Sequence, residues 1–295
     1  MSKDLLVFDR HKNQIITENI FGEGGVRFLY ENPFGAALES TVLCRPWFSK
    51  LYGAYQNTER SAKSIPDFIK RFEIPMSDYE SGPFHSFNEF FIRKLKPGAR
   101  PFEPSAHRLA APSEGRYLFL PSVQENTKLP IKGATLNGPA LLGDFPEMKP
   151  FIGGPGFISR LCPVDYHRFH FPDAGKILSS RKLSGPLHSV NPIALAARGD
   201  LLFRNEREVT ILQTENFGKI AYVEVGAICV GKIVQTHSGQ TFQRGDEKGY
   251  FLFGGSTVIV IGEPRKFAFD ADLLEKSASG RETLIRIGEG IATAV

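Results

Sequence analysis

The chain has 295 residues, 41% hydrophobic and 23% charged, values of an ordinary folded body that exclude disorder, collagen-like repeats and a membrane-embedded bundle. Its 36 Lys plus Arg against 32 Asp plus Glu leave only +4, too weak a balance for a nucleic-acid binder. Cys44, Cys162 and Cys229 stand far apart with no CxxC pair, which argues against a disulfide framework and a zinc site and for a reducing compartment.

The opening MSKDLLVFDRHK carries Asp4 and Asp9 around a short apolar run, unlike the basic-then-apolar pattern of a secretion signal. No stretch reaches the roughly 18 uninterrupted apolar residues of a spanning helix, so any membrane contact is expected at the surface. From Asn32 to Phe72, Ala, Leu and aromatics recur at helical spacing, broken at Pro46 and Pro66, which predicts two or three short amphipathic helices. Within them Arg45, Lys50, Arg60, Lys63, Lys70 and Arg71 stand against only Glu59 and Asp67. Beside Trp47, Phe48, Leu51, Tyr52 and Tyr55 this is the pattern of an interfacial anchor. It equally suits a helical layer packed on a core, and composition alone favours that plainer reading.

After about residue 108 the texture changes to short β-type runs punctuated by Gly and Pro: RYLFLPSV, KILSSRKL, EVTILQT, KIAYVEVGAICVGKIVQT and YFLFGGSTVIVIG. The expected fold is α+β: a mainly β core, sandwich- or barrel-like, with an N-terminal layer of amphipathic helices. The closing FDADLLEKSASGRETLIRIGEGIATAV reads as a short helix or loop and one last strand. Most of the 25 Phe belong in this core, since Phe suits pleated, half-buried surfaces.

No nucleotide-binding GxGxxG or GxxxxGK[ST] and no GxSxG nucleophile elbow is present. Two segments carry candidate chemistry. CPVDYHRFHFP, Cys162 to Pro172, holds His167 and His170; Pro163 to Arg168 is expected to form a helical turn with Pro at its first position, followed by a strand start. Two imidazoles without a third ligand do not define a metal site, and the plain reading is a pair of ordinary hydrogen-bonded histidines. FLFGGSTVIVIG, Phe251 to Gly262, sets Gly254, Gly255 and Ser256 inside an apolar strand pair. Adjacent glycines there mark a turn or bulge, or else a backbone bent so that Ser256 reaches back to the Gly255 carbonyl.

Eight segments together resemble the phosphatidylserine decarboxylases, a family of self-cleaving pyruvoyl enzymes. They are SFNEFFIRKLKPGARP (Ser86 to Pro101), APSEG (Ala111 to Gly115), IKG with ALLG (Ile131 to Gly143), CPVDYHRFHFP, LHSVNP (Leu187 to Pro192), LFRNERE (Leu202 to Glu208), AYVEVGAICVG (Ala221 to Gly231) and FGGST, in the family's order. The resemblance implies an N-terminal segment over residues 1–85 with membrane-associating helices, and a β-rich catalytic body over 86–295. It implies cleavage between Gly255 and Ser256, in which Ser256 attacks the Gly255 carbonyl and is left as a pyruvoyl group on a 40-residue C-terminal chain, with no metal. His170 matches the family's triad histidine and Glu114 its triad carboxylate, where the family is expected to carry Asp; the extra methylene puts the efficiency of maturation in question. His167 is implied in headgroup recognition or proton transfer during decarboxylation, and Ser189 in the pocket.

On this reading the ketone forms a Schiff base with the amine of phosphatidylserine, and the products are phosphatidylethanolamine and carbon dioxide. The large and small chains stay together as a heterodimer, on the anionic cytoplasmic side of the cell membrane as a peripheral protein, with no nucleic acid involved. The alternatives are a non-processing lipid-binding homologue that has lost maturation through Glu114, and a pyruvoyl decarboxylase of a soluble amino acid, which has no need of basic aromatic helices.

Overall fold

The computed structural model describes residues 5–20, 22–130, 134–228, 232–254 and 256–295. Gly255, Cys229 and the IKG part of the third segment lie outside the described residues.

Among the described residues, ten strands form one sheet in the order Thr241–Phe242, Gly175–Leu183, Arg207–Thr214, Lys219–Gly226, Ser256–Gly262, Gly154–Leu161, Gly115–Val123, Thr283–Ile285, Leu6–Asp9 and Gln14–Thr17. All neighbours are antiparallel except Leu6–Asp9, which runs parallel to Thr283–Ile285. The GGST segment therefore opens a central strand. Ser256 pairs with Gly226 on one side and Leu161 on the other. The strand STVIVIG is buried at every position, because both sheet faces are covered and no solvent side remains to alternate toward.

The two faces carry separate cores. Val223, Val225, Ile259 and Ile261 point into one; Tyr222, Val258, Val260, Leu161 and Phe157 point into the other, which also holds Phe169 and Phe251. Those two phenylalanines come from a three-stranded sheet, Ile233–Gln235, Glu247–Phe251 and Arg168–His170, which packs across the second face. By the two-residue period of a strand, Ser256 shares the side of Val258 and Val260. Its hydroxyl is thus aimed between the large sheet and the small sheet that carries the histidine segment.

The runs predicted as strands form strands, and the mainly β body is mixed with helix. The region from Asn32 to Phe72 is divided more finely than the spacing predicts: Pro33–Leu38, Glu39–Leu43 in a wider π turn, Pro46–Gln56, Glu59–Ala62 and Ile65–Phe72. Pro46 and Pro66 sit in first turns, where their missing N–H costs nothing. The helical turn expected over 163–168 does not form. The Asp165 N–H donates to Cys162 O at 2.9 Å and the Asp165 carboxylate is taken by Arg116, which leaves a tight turn in place of a helix start. The closing region supplies the helix Ala271–Ala278 and two strands, Thr283–Ile285 and Gly290–Ala294.

Candidate active site

The approach to Ser256 requires glycine: Gly254 has φ 142°, a conformation side chains rarely adopt. Just before it, the Phe253 N–H donates to Asn88 Oδ1 at 2.8 Å. Ser256 is fully buried and its Oγ has no hydrogen-bond partner among the described residues. A buried hydroxyl left unpaired costs about 1–3 kcal/mol, so this one calls for a functional account.

His167 is also fully buried. Its ring stacks on Phe91 at 3.7 Å, and its Nδ1 donates to Asp165 O at 3.0 Å, since a carbonyl only accepts. The Nε2 atom has no hydrogen-bond partner among the described residues. Burial, with the nearby Arg93 guanidinium second, pushes the imidazole pKa well below its ordinary value, so His167 is a neutral base with a free lone pair. Its backbone O accepts from Phe251 N at 3.0 Å, which ties it to the strand leading into the GGST turn.

His170 is held at both nitrogens. Nδ1 donates to Gly245 O at 2.8 Å, and Nε2 accepts from Tyr166 Oη at 3.1 Å; burial lowers its pKa. Its backbone N–H donates to Pro112 O at 2.8 Å, which brings APSEG beside it. Glu114, however, is engaged elsewhere: its Oε2 accepts from Arg100 Nε at 2.9 Å, and Arg100 Nη1 reaches Asp78 at 2.8 Å. Among the described residues Glu114 and His170 share no hydrogen bond. The Glu114 charge is felt at Tyr166, whose phenol pKa burial raises first and Glu114 raises further.

A cavity of about 620 Å³ reaches Phe253 and Gly254. Val26, Leu29, Leu43, Phe48, Tyr52 and Phe72 give it apolar walls, and Ser189, Asn191, Arg116 and Arg160 a polar end. Ser189 is buried, its N–H donating to Tyr30 Oη at 2.8 Å. The cations there are largely compensated: Arg160 meets Glu18 at 2.7 Å and Glu282 at 2.6 Å, and the two arginines hold the Glu18 carboxyl down at about 2 against the desolvation that opposes them. Cys162 donates to Glu18 at 2.6 Å, and burial pushes its thiol up, which leaves it inert. Among the described residues no group of three or more His, Cys, Asp or Glu is placed to hold a metal.

Sequence reasoning assigned no role to Asn88, Phe91, Arg93 and Arg100. All four lie in SFNEFFIRKLKPGARP, which served only as a mark of resemblance. The structure makes that segment the wall behind His167 and the GGST approach. Density of aromatic and cationic residues in one loop-rich stretch was the signal that pointed there.

A buried serine at a glycine-bent strand start, on the sheet face that the histidine-bearing small sheet covers and two residues from the cavity, is the kind of enclosed polar site that enzymes build. The family model described as phosphatidylserine decarboxylase matches residues 87–293, and the chain belongs to that family. It is 43% identical over 287 residues to the phosphatidylserine decarboxylase proenzyme of Clostridium kluyveri, covering 96% of this chain and 97% of the relative. It is 40% identical over 292 residues to that of Clostridium botulinum (strain Alaska E43), covering 98% and 99%, and 41% identical over 286 residues to that of Chlamydia pneumoniae, covering 96% and 95%. The resemblance read from the eight segments is borne out.

Proposed function

We propose that the chain is a proenzyme that cleaves itself between Gly255 and Ser256 and then decarboxylates phosphatidylserine to phosphatidylethanolamine. The observation that carries this reading is the Ser256 hydroxyl: buried, without a hydrogen-bond partner among the described residues, at the head of a central strand and two residues from a cavity-lining glycine. The same features fit a pyruvoyl group built from Ser256, since an enclosed cleft beside a neutral histidine suits a carbonyl. When present, that group supplies an electron sink for the loss of carbon dioxide.

In maturation, His170 takes the Ser256 proton with Glu114 as its supporting carboxylate, and Ser256 Oγ attacks the Gly255 carbonyl. In turnover, His167 Nε2 accepts a hydrogen bond from the headgroup or moves its proton, and Ser189 lines the pocket. After cleavage the chain starting at 256 keeps its central strand between Lys219–Gly226 and Gly154–Leu161, which supports a stable heterodimer of the large and small chains.

Residues 1–85 carry the membrane-associating helices and 86–295 the catalytic body, whose large sheet also takes in the strands Leu6–Asp9 and Gln14–Thr17 from the first segment. Phe34 is 84% exposed, Leu51 65% and Trp47 53%, while Phe48 and Tyr52, on the same helix as Trp47 and Leu51, line the cavity together with Val26 and Leu29 of the preceding helix Glu23–Glu31. The helices therefore stand between solvent and site, where a lipid enters. All six basic residues from Arg45 to Arg71 are exposed, and among the described residues none forms an ion pair. No described helix is long and apolar enough to cross a membrane, and the proposed location is peripheral, on the cytoplasmic face of the cell membrane.

One observation favours the non-processing alternative: Glu114 is paired with Arg100, and both nitrogens of His170 are occupied. An intact mass measurement decides. Two species, the smaller matching residues 256–295 with a pyruvoyl end, are expected; a single full-length mass under all conditions refutes self-cleavage. In Ser256→Ala both cleavage and decarboxylation are expected to vanish.

A further inference from the structure

Arg93 is 2% exposed, yet among the described residues no carboxylate lies within ion-pairing distance of it. A buried cation without an anion is costly and needs other compensation. Here it comes from two ring faces, Tyr79 at 4.2 Å and Phe90 at 4.8 Å, and from carbonyl dipoles. Arg93 Nη2 donates to Val164 O at 2.7 Å and to Asp165 O at 3.1 Å, and Nη1 to Phe90 O at 3.3 Å. Asp165 O is the same atom that accepts from His167 Nδ1 at 3.0 Å. One carbonyl, with two lone pairs, thus serves the guanidinium and the imidazole together.

We propose that Arg93 is a positioning residue for His167: it fixes the 164–165 carbonyls so that the imidazole carries its proton on Nδ1, lies flat on Phe91 and presents the Nε2 lone pair to the cleft. The guanidinium does this by geometry: Nη2 takes the two successive carbonyls while Nη1, in the same plane, takes Phe90 O, a fixed two-nitrogen arrangement that a lysine ammonium cannot match. It also does so by charge. The charged groups that face His167 are Arg93, from the end of the Phe87–Phe91 helix, and Arg116, from the strand Gly115–Val123. Asp165, on the His167 loop, turns its carboxylate to Arg116. The net field is positive, so an imidazolium is disfavoured and the ring stays an acceptor. The inference rests on the assignment of His167 to turnover, and the test separates the two.

The test uses the full-length protein with ¹⁵N-labelled histidine, His167 signals being assigned by their absence in His167→Ala. In the parent, His167 is expected to show the neutral Nδ1–H pattern without titrating between about pH 5 and 7. In Arg93→Met the single Nδ1–H pattern is expected to give way to a mixture of the two neutral tautomers, and turnover of matured enzyme to fall by about 10²-fold with KM little changed, the scale of a roughly 1 Å misplacement. Arg93→Lys, which keeps the charge and guards against a misfolded Met variant, is expected to leave His167 neutral but to lower turnover by about 10-fold. Unchanged His167 shifts and turnover in the Arg93 variants that fold overturn the proposal. If His167→Ala itself turns over at the parent rate, the role of His167 falls, while the nitrogen shifts still decide whether Arg93 sets its tautomer.

Discussion

The pair formed by Lys248 and Glu224 offers a quantitative check on how the small sheet is held over Ser256. Glu224 is fully buried on the strand Lys219–Gly226, on the face it shares with Ser256, and Lys248 reaches it from the strand Glu247–Phe251 at 2.7 Å. Lys248 also donates to Gln235 Oε1 at 2.9 Å and lies over Tyr222 at 5.2 Å. Burial pushes the Glu224 carboxyl up to about 7 even with the ammonium beside it. Removing one member of such a pair strands the other, at a cost of about 3–5 kcal/mol. Lys248→Met, whose stem keeps the packing, isolates this charge effect.

The loss must depend on pH in a fixed direction. A carboxyl whose pKa is higher in the fold than in the unfolded chain stabilises the fold fully below the unfolded value, and that contribution is lost as pH rises through the folded one. Without Lys248 the Glu224 value rises further, so the penalty extends above 7. Urea unfolding of the uncleaved Ser256→Ala chain is expected to show about 3–5 kcal/mol lost on Lys248→Met at pH 8.5, and roughly 1 kcal/mol or less at pH 6, where Glu224 takes a proton. The double variant Glu224→Leu with Lys248→Met is expected to recover most of the stability. An equal loss at both pH values, or a double variant as unstable as the single, refutes the reasoning.

Three further outcomes follow from the site. His170→Ala is expected to block self-cleavage, whereas His167→Ala cleaves yet decarboxylates poorly; gels showing both uncleaved to the same extent overturn the division of roles. Glu114→Gln removes the carboxylate that pairs with Arg100 at 2.9 Å and is proposed to support His170, and is expected to slow precursor disappearance by about 10²-fold, with Glu114→Asp between Gln and Glu; a Gln variant maturing at the parent rate makes this carboxylate a bystander. Replacing Lys50, Arg60, Lys63 and Lys70 by Gln is expected to weaken binding to anionic vesicles by roughly 1 kcal/mol per residue, and added salt to weaken the parent, since exposed charges are screened over about 8 Å. Binding that ignores salt points to apolar insertion alone.

The strands were legible because each is a local pattern: KIAYVEVG and STVIVIG carry their apolar runs in consecutive residues. Ser256 and His167 stood out in the sequence as neighbours of a glycine pair and a histidine pair, but those local patterns suit a plain turn and ordinary hydrogen-bonded imidazoles equally, and their roles came only with the family resemblance. What escaped was every contact made across the fold. Arg93 reaches carbonyls 71 and 72 residues away, and Lys248 meets a carboxylate 24 residues back. The Arg100 partner of Glu114 lies only 14 residues off but on a loop without periodicity, so no spacing rule points to it. The missing helical turn at 163–168 has the same cause: a tertiary pairing of Asp165 with Arg116 outweighs a local preference.

Six buried polar side-chain atoms among the described residues lack a hydrogen-bond partner: Arg93 Nε, Arg116 Nε, His167 Nε2, Ser256 Oγ, Thr257 Oγ1 and Thr283 Oγ1, although Arg116 Nε lies 3.6 Å from the Glu18 carboxylate. Five of them adjoin the candidate site, through the His167 loop, the cavity end at Arg116 or the Ser256 strand itself. A buried polar atom left without any partner costs about 1–3 kcal/mol. The large sheet supplies the compensation, since Val258, Ile259, Val260 and Ile261 are at most 1% exposed and each fully buried side chain of this kind contributes about 1.5–3 kcal/mol. The strand that bears the unpaired hydroxyl is therefore also among the best anchored in the molecule. That pairing holds Ser256 rigidly beside its flanking glycine without satisfying it, the condition a buried nucleophile requires.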